Sequence, residues 1–553
     1  TKSSPDGPGM RQPGVVFLLI ILVMLSAAWY YRTELGFETT AASLRKSLGS
    51  LAETRHFRIW YDSAAIPPDE IRWVAAEHEF RYWQVSRFLG TDTNRVVESY
   101  LYPDTDTKRR LIGAGNTDIA KPWRGEIHLD EGSWRATLKH ELAHALAAEF
   151  GMPVIRANVN IGLVEGLAMA ASPSFGNRTL QEYAASMIRF GIVDDPAAFI
   201  RPVGFAVQSS TVSYVLMGAF CDYLVGRYGM PAFKIWYGGG SPEEACGVDA
   251  DSLIAGWRRS LDTIRVPESW RAHTDYYFRR GSIFARECAR VVANLNADGG
   301  RSLERKDYTA AKNFYMKALE QSWNASSFAG LTRALLGQRN YGRVIELFDA
   351  ERDDTTKKGS LAGVKLLFGD ALMMKNDYTG ASRVYEEIRA LDLSPGMNEA
   401  VLLRIVVANA PDLREYVAPV LAGMMEDSVA LEWLSGITSA DNPAVLSYLR
   451  ARLMVAKGDY ASAAHETAEY IAPFPNSELN GALNDVTAGA FFRLGDFLGA
   501  RSFYERTLDY DPGAVLLQRV RDRQERCDWF GREWEGVKNR IIQSEARNSS
   551  LKE

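Results

Sequence analysis

The chain has 553 residues, 46% of them hydrophobic, and its 64 Lys and Arg against 69 Asp and Glu leave a formal net charge of −5. That length accommodates about three or four globular domains, and the slightly acidic balance excludes the basic field on which nucleic-acid binding depends. Cys221, Cys246, Cys288 and Cys527 lie far apart with no CxxC pair, which excludes a zinc ribbon and a dense disulfide framework and leaves the redox compartment open.

Residues 1–13 (TKSSPDGPGMRQP) are rich in Pro, Gly and Ser, the composition of a disordered tail. From Gly14 to Tyr31 run 18 uncharged residues, stopped by Arg32. As a helix this stretch just crosses a hydrocarbon core of about 30 Å, and Trp29, Tyr30 and Tyr31 suit an interfacial belt. A cleaved signal peptide is the competing reading, because Ser26 and Ala28 are small residues at a cleavage spacing. Both readings place the remainder outside the cytoplasm, and the first makes the chain a single-pass membrane protein. Lys2 and Arg11 before the segment nearly balance Arg32, Arg45 and Lys46 after it, so flanking charge does not set the orientation.

A polar connector (32–55) precedes strand-like text: HFRIWYD (56–62), VVESYLYP (96–103) and GEIHLD (125–130). Between the first two, Pro68 to Phe88 reads as a helix with Trp73, Ala76, Phe80 and Trp83 at helical spacing. His78 in AEHEF is expected on a solvated helix face. His128, which alternates with Glu126 and Asp130, is expected on a solvated strand face.

The third strand leads into KHELAH, residues 139–144. On a helix, positions i and i+4 share a face, so His140 and His144 can aim their imidazoles at one metal ion while Glu141 reaches a water on it. Neutral nitrogen ligands suit zinc. Zinc with three protein ligands and an open position lowers the pKa of its water to about 7, and a neighbouring carboxylate can take that proton during attack on a carbonyl. The next acidic residue in an apolar helical setting is Glu165 in IGLVEGLAMA, far enough on for a turn at Gly151-Met152-Pro153 and a returning helix. Gly162 and Gly166 flank it and permit close approach. The plain alternative is an amphipathic helix burying Leu138, Leu142, Ala145 and Leu146.

Gln208 to Gly229 reads as a long helix with Tyr214, Gly218, Cys221 and Val225 on one face, ending before Pro231; Gly238-Gly239-Gly240 reads as a loop.

HELAH followed by LVEGLA resembles the gluzincin metallopeptidases, the thermolysin-like clan, and in particular its peptidase MA-like families. The resemblance implies an α+β peptidase domain over about residues 56–265, with a small sheet leaning on the active-site helix and a helical lower half. It implies Zn2+ held by His140, His144 and Glu165, with Glu141 as general base. It also implies an oxyanion donor from the lower half, for which Tyr214 is the first candidate, followed by Tyr223 and Tyr228. Gly125 to Asp130 would be the edge strand that pairs with an extended peptide substrate. The chain departs from the pattern where an acid often follows the third ligand by one turn, since it has Ala168 and Met169 there.

After connecting helices (266–300), Asp307-Tyr308, Asn340-Tyr341, Asp377-Tyr378, Asp459-Tyr460 and Asp496-Phe497 each open an alanine-rich helix, and their aromatic positions differ by 33, 37, 82 and 37. The long interval holds a degenerate unit near Glu415-Tyr416. This pattern over 301–535 resembles tetratricopeptide repeats, which implies an all-α solenoid whose groove binds a peptide or a partner protein. Residues 536–553 are expected to be a frayed tail. Two functional expectations follow: a membrane-anchored zinc metallopeptidase whose repeats recruit a protein substrate or partner, or a non-catalytic scaffold built on the same solenoid.

Overall fold

The computed structural model describes residues 26, 40–91, 94–115, 117–172, 174–200, 205, 210–279, 289–351, 358–437, 442–471, 479–510 and 513–550. These residues are mostly helical, with one small mixed sheet. Apart from Ser26, the expected membrane span at 14–31 lies outside them, as does the 1–13 tail. Among the described residues no helix is long and apolar enough to cross a membrane. One compact unit takes the chain up to Glu149 with Val154–Arg156 and Glu535–Glu553, and the other takes Phe150–Pro153 and Ala157–Trp534.

In the first unit the elements run α1 (Ala41–Leu48), β1 (Ser50–Glu53), β2 (Phe57–Tyr61), α2 (Pro68–Leu89), β3 (Val97–Tyr102), α3 (Thr105–Ile112), β4 (Ile119–Lys121), β5 (Glu126–Asp130) and α4 (Trp134–Ala147). The sheet order is β1-β2-β3-β5-β4, with β2, β3 and β5 parallel and both outer strands antiparallel to their neighbours. Phe57, Ile59, Leu101, Ile127 and Leu129 are buried on the face against α2 and α4. On the other face Tyr100 and Tyr102 pack with Leu44 and Leu48 of α1 and with Leu111 and Ile112 of α3.

Four expectations are corrected here. The expected edge strand, β5, is interior; the edges are β1 and β4, which are too short to show a clear alternation. Because α1 and α3 cover the second face, the alternating polar residues of β5 mark a buried polar layer and not a solvated one. His128 is fully buried, stacked on Tyr100 with ring centroids 4.9 Å apart, and its Nδ1 lies 3.0 Å from the Tyr102 hydroxyl.

His78 is also fully buried. Its Nδ1 donates to the Val74 carbonyl (2.8 Å), which leaves Nε2 to accept from Ser99 Oγ (3.0 Å), so the imidazole is held neutral in one tautomer. Burial pushes its pKa down to about 4 from 6.5, against the opposing Val74 hydrogen bond. Between those values the unfolded chain binds the proton and the folded chain does not, so stability is full above about pH 6.5 and falls as pH drops toward 4, by about 3 kcal/mol from this residue. Urea midpoints measured from pH 7 to 4 should show that decline in the native chain and a shallower one in His78→Asn. Parallel declines would contradict it.

The fourth correction concerns the tail. The last helix spans Ala514–Ser550, and Val537, Ile541 and Ser544 form a buried stripe at helical spacing in otherwise polar text. The backbone N–H of Glu53 on β1 donates to Ser544 Oγ (3.2 Å), and Arg72 pairs with Glu545 (3.4 Å). The C-terminus thereby covers an edge that would otherwise present unpaired backbone groups.

The second unit begins with α5 (Ile161–Ala170), a two-residue hairpin of β6 (Ser174–Phe175) and β7 (Arg178–Thr179), α6 (Leu180–Arg189), α7 (Ala197–Ile200) and α8 (Ser210–Tyr237). The predicted stop at Gly229 is a break inside α8, where Gly229 takes φ 82° and ψ 159° ahead of Pro231. Short helices α9 (Pro242–Cys246), α10 (Ala250–Leu261) and α11 (Trp270–Phe278) follow.

From Ala289 onward, consecutive helices pack in pairs. At all five predicted openings the preceding helix ends on a residue in the left-handed region: Lys306, Arg339, Asn376, Gly458 and Gly495. The next residue's N–H reaches back five positions (Asp307 to Ser302, Asn340 to Leu335, Asp377 to Leu372, Asp459 to Met454, Asp496 to Phe491), closing the helix in a Schellman turn. The same Asp or Asn then caps the following helix by accepting from the N–H three residues on. Four residues into each helix stands a buried small residue, Ala311, Val344, Ala381, Ala463 or Ala500. Glycines admit the aromatic rings: a Cβ at Gly369 would come within 2.4 Å of the Tyr385 ring. The interval of 82 holds two shorter helices, Arg414–Leu421 and Asp427–Ser435.

Lys306 and Arg339 adopt φ of 59° with a side chain that this conformation disfavours. Lys306→Gly and Arg339→Gly should each stabilise the chain by up to about 1 kcal/mol, read as a raised urea midpoint. A lowered midpoint for both would refute this account of the turn.

Candidate metal centre

Helix α4 is fixed at its first turn by a buried polar cluster. Lys108, fully buried, pairs with Asp118 and with Asp130 (3.5 Å). Ser133 Oγ lies 2.8 Å from Asp130 and 2.5 Å from Asp118, its one proton shared between the two carboxylates, and Thr137 donates to Asp118 (2.5 Å). Carboxylates at a helix N-terminus are favoured by the exposed N–H groups there, and the Lys108 ammonium compensates their burial. Thr137, one turn before Glu141, thereby ties the rotation of α4 to the strands.

From that anchor, Leu138, Leu142, Ala145 and Leu146 are buried as the amphipathic reading expected. His140 and His144 lie on a different arc, with rings 4.7 Å apart at 84° and the two Nε2 atoms 3.1 Å from each other. Two nitrogens each about 2.0–2.1 Å from one tetrahedral zinc would be about 3.3 Å apart. The spacing is close to that of two ligands of one ion, and it also permits a hydrogen bond between the two imidazoles. Glu141 is buried beside them.

Helix α5 carries Glu165. Asn160 caps it by accepting from Gly162 N (3.0 Å) and donates to the Ile200 carbonyl (2.9 Å). Asn158 donates to the carbonyls of Trp236 (3.2 Å) and Tyr237 (2.8 Å). The expected glycine contacts are present: a Cβ at Gly166 would meet Cys221 Sγ at 2.5 Å and the Met217 carbonyl at 2.6 Å. Only glycine lets α5 lie this close to α8. Where an acid was lacking one turn after Glu165, Met169 packs against Gly218, whose Cβ would come within 2.7 Å of it.

Among the described residues, His140, His144 and Glu165 are of the side-chain types that could together hold a metal ion. Two imidazoles and a carboxylate match the donors that zinc takes in a catalytic site.

The expected oxyanion donors are placed as follows. Tyr214 is half-buried with its ring 5.1 Å from Phe205. Tyr223 directs its hydroxyl at α10, where a Cβ on Gly256 would meet it at 2.8 Å. Tyr228 is half-buried. Tyr237 was not singled out by the sequence. It is fully buried, its ring lies 5.2 Å from that of Phe150, and its hydroxyl has no hydrogen-bond partner among the described residues. Burial first, and then the charge of Glu165, push its phenol above the ordinary value. Its signal was hidden because the helix was expected to end at Gly229, eight residues earlier. Beside Tyr237, a cavity of about 390 Å³ is lined by Met152, Asn158, Val159, Trp236, Gly239 and Ile254, among others. No family model matches the chain, and no curated protein matches it.

Proposed function

We propose that this protein is a zinc-dependent metallopeptidase of the gluzincin type. His140, His144 and Glu165 are the ligands and Glu141 is the general base. Residues 14–31 anchor the chain, with its bulk on the extracytoplasmic side, and the tetratricopeptide-like repeats recruit a protein substrate or partner. The observation that carries this reading is the His140–His144 pair on α4, whose Nε2 atoms lie 3.1 Å apart, with Glu165 in IGLVEGLAMA 21 positions on as the third donor. When bound, the cation polarises a peptide carbonyl and acidifies water. Glu141, one position from a ligand and shielded from solvent, takes the proton from the attacking water and passes it to the leaving amine. Tyr214 remains the oxyanion donor implied by the resemblance.

The test is hydrolysis of a mixed peptide pool by the zinc-loaded chain. Cleavage that stops with a chelator and returns with added zinc supports the reading, and no cleavage across a broad pool overturns it. The scaffold reading draws on the five turns that share one hydrogen-bond pattern. It predicts a stable partner complex that forms equally with Glu141→Gln and without zinc.

A further inference from the structure

Stacked helical repeats are stabilised by burying their large side chains between neighbouring units, and the rings of Tyr315, Tyr385, Tyr448 and Tyr504 are buried in this way. The two short helices in the long interval, Arg414–Leu421 and Asp427–Ser435, do the opposite. They leave Tyr416 and Trp433 each 45% exposed and in ring contact, with centroids 6.1 Å apart, and Val429, one turn before Trp433, is 53% exposed. Trp433 Nε1 donates to the Tyr416 carbonyl (3.1 Å), so the polar edge of the indole is satisfied within the pair. The helices are also tied down. Glu426 pairs with Lys306, Met424 Sδ accepts from the Tyr341 hydroxyl (3.2 Å), and the Arg414 guanidinium lies 4.0 Å from the centre of the Tyr378 ring. Those three partners stand at three successive repeat turns, so the aromatic pair is held on a fixed seat. Residues 411–435 carry five acidic residues and one basic residue, Arg414. An exposed glutamate precedes each ring, Glu415 before Tyr416 and Glu432 before Trp433, and neither has an ion-pair partner among the described residues.

We propose that Tyr416, Val429 and Trp433, with Glu415 and Glu432 beside them, form a docking surface for a linear peptide segment in which Arg or Lys alternates with apolar side chains. This deepens the recruiting role of the repeats and rests on that reading, not on the metal centre. Cations are attracted to the faces of Trp and Tyr, and the aliphatic stems of Arg and Lys cover apolar surface that water would otherwise meet. The two glutamates supply the complementary charge, which speeds encounter and fixes register. An acidic segment would meet like charge here, and an uncharged apolar one would cover the glutamates without pairing them.

The experiment titrates three labelled peptides, of alternating Arg-Leu, Glu-Leu and Arg-Gly, with the full chain and reads fluorescence anisotropy. The variants are Tyr416→Ala, Trp433→Ala, and Glu415→Gln combined with Glu432→Gln. The native chain should hold the Arg-Leu peptide about 10-fold more tightly than either of the others. Each ring variant keeps the net charge and should lose about 10-fold in that affinity, while the glutamine pair should flatten its dependence on salt. Helical circular dichroism checks that each ring variant is folded, and the glutamine pair, altered only at exposed positions, tests the surface even where a ring variant is not. Arg-Leu binding that neither the ring variants nor the glutamine pair alter would overturn this surface and leave recruitment elsewhere on the repeats standing. Equal affinity for the Glu-Leu peptide would overturn it as well. Failure of the recruiting role itself would appear as a native chain that binds none of the three peptides, and the surface would fall with it.

Discussion

Glu141→Gln is expected to bind zinc as the native chain does while losing peptide turnover by about 10²- to 10⁴-fold. The amide has nearly the shape of the carboxylate but does not accept the proton from water, so only the acid–base step is removed. Glu141 is buried on α4 between the two histidine positions. The polar cluster at Ser133, Thr137, Asp118 and Lys108 that orients α4 is left untouched. Turnover of a fluorogenic peptide, read beside metal content, separates the step from the site. Turnover within tenfold of the native chain would remove Glu141 from the mechanism, and loss of zinc would make it a determinant of the site instead.

The second large effect lies among the repeats. Arg404→Met should destabilise the chain by roughly 3–5 kcal/mol. Asp370 is almost wholly buried and accepts from Arg404 Nε (2.7 Å), Arg404 Nη2 (3.1 Å) and the Tyr385 hydroxyl (2.7 Å). Arg404 also donates to the Leu421 carbonyl (2.7 Å), so one guanidinium joins four consecutive helices. Removing it strands a carboxylate in the interior with a single phenol. Replacing both partners, in Asp370→Leu with Arg404→Met, should recover most of the loss, because no charge is then left unpaired. Urea unfolding followed by helical circular dichroism decides this. A single variant as stable as the native chain would show that the pair is not desolvated as the geometry implies.

Residues whose roles are local were legible in the sequence. KHELAH is helical because its apolar positions recur at helical spacing, and the histidines share a face for the same reason. The glycines around Glu165 announced a close approach that Cys221 and Met217 now fill. The five Asp- or Asn-aromatic openings marked five helix–helix turns, since one residue both closes a helix and caps the next.

The remainder depended on what covers a surface, which spacing does not encode. His128 and Glu126 alternate with apolar residues as solvated strand positions do, yet α1 and α3 bury that face. His78 stands among charged residues, yet Ser99 and Val74 satisfy both its nitrogens. β1 and β4 are too brief to register a period, so the sheet edges were misassigned. Residues 537–544 show an apolar stripe only once their partner, some 490 positions away at Glu53, is known. Tyr237 lies beyond a glycine that breaks its helix, where the periodic signal had already been cut.

The measurement that bears most directly on the metal centre is zinc content per chain after zinc has been offered and excess removed, for the native protein and Glu165→Ala in parallel. The account predicts close to one zinc per native chain and sharply weakened retention in Glu165→Ala, because two imidazoles alone make an incomplete site. No zinc in either protein, or equal retention in both, would contradict it.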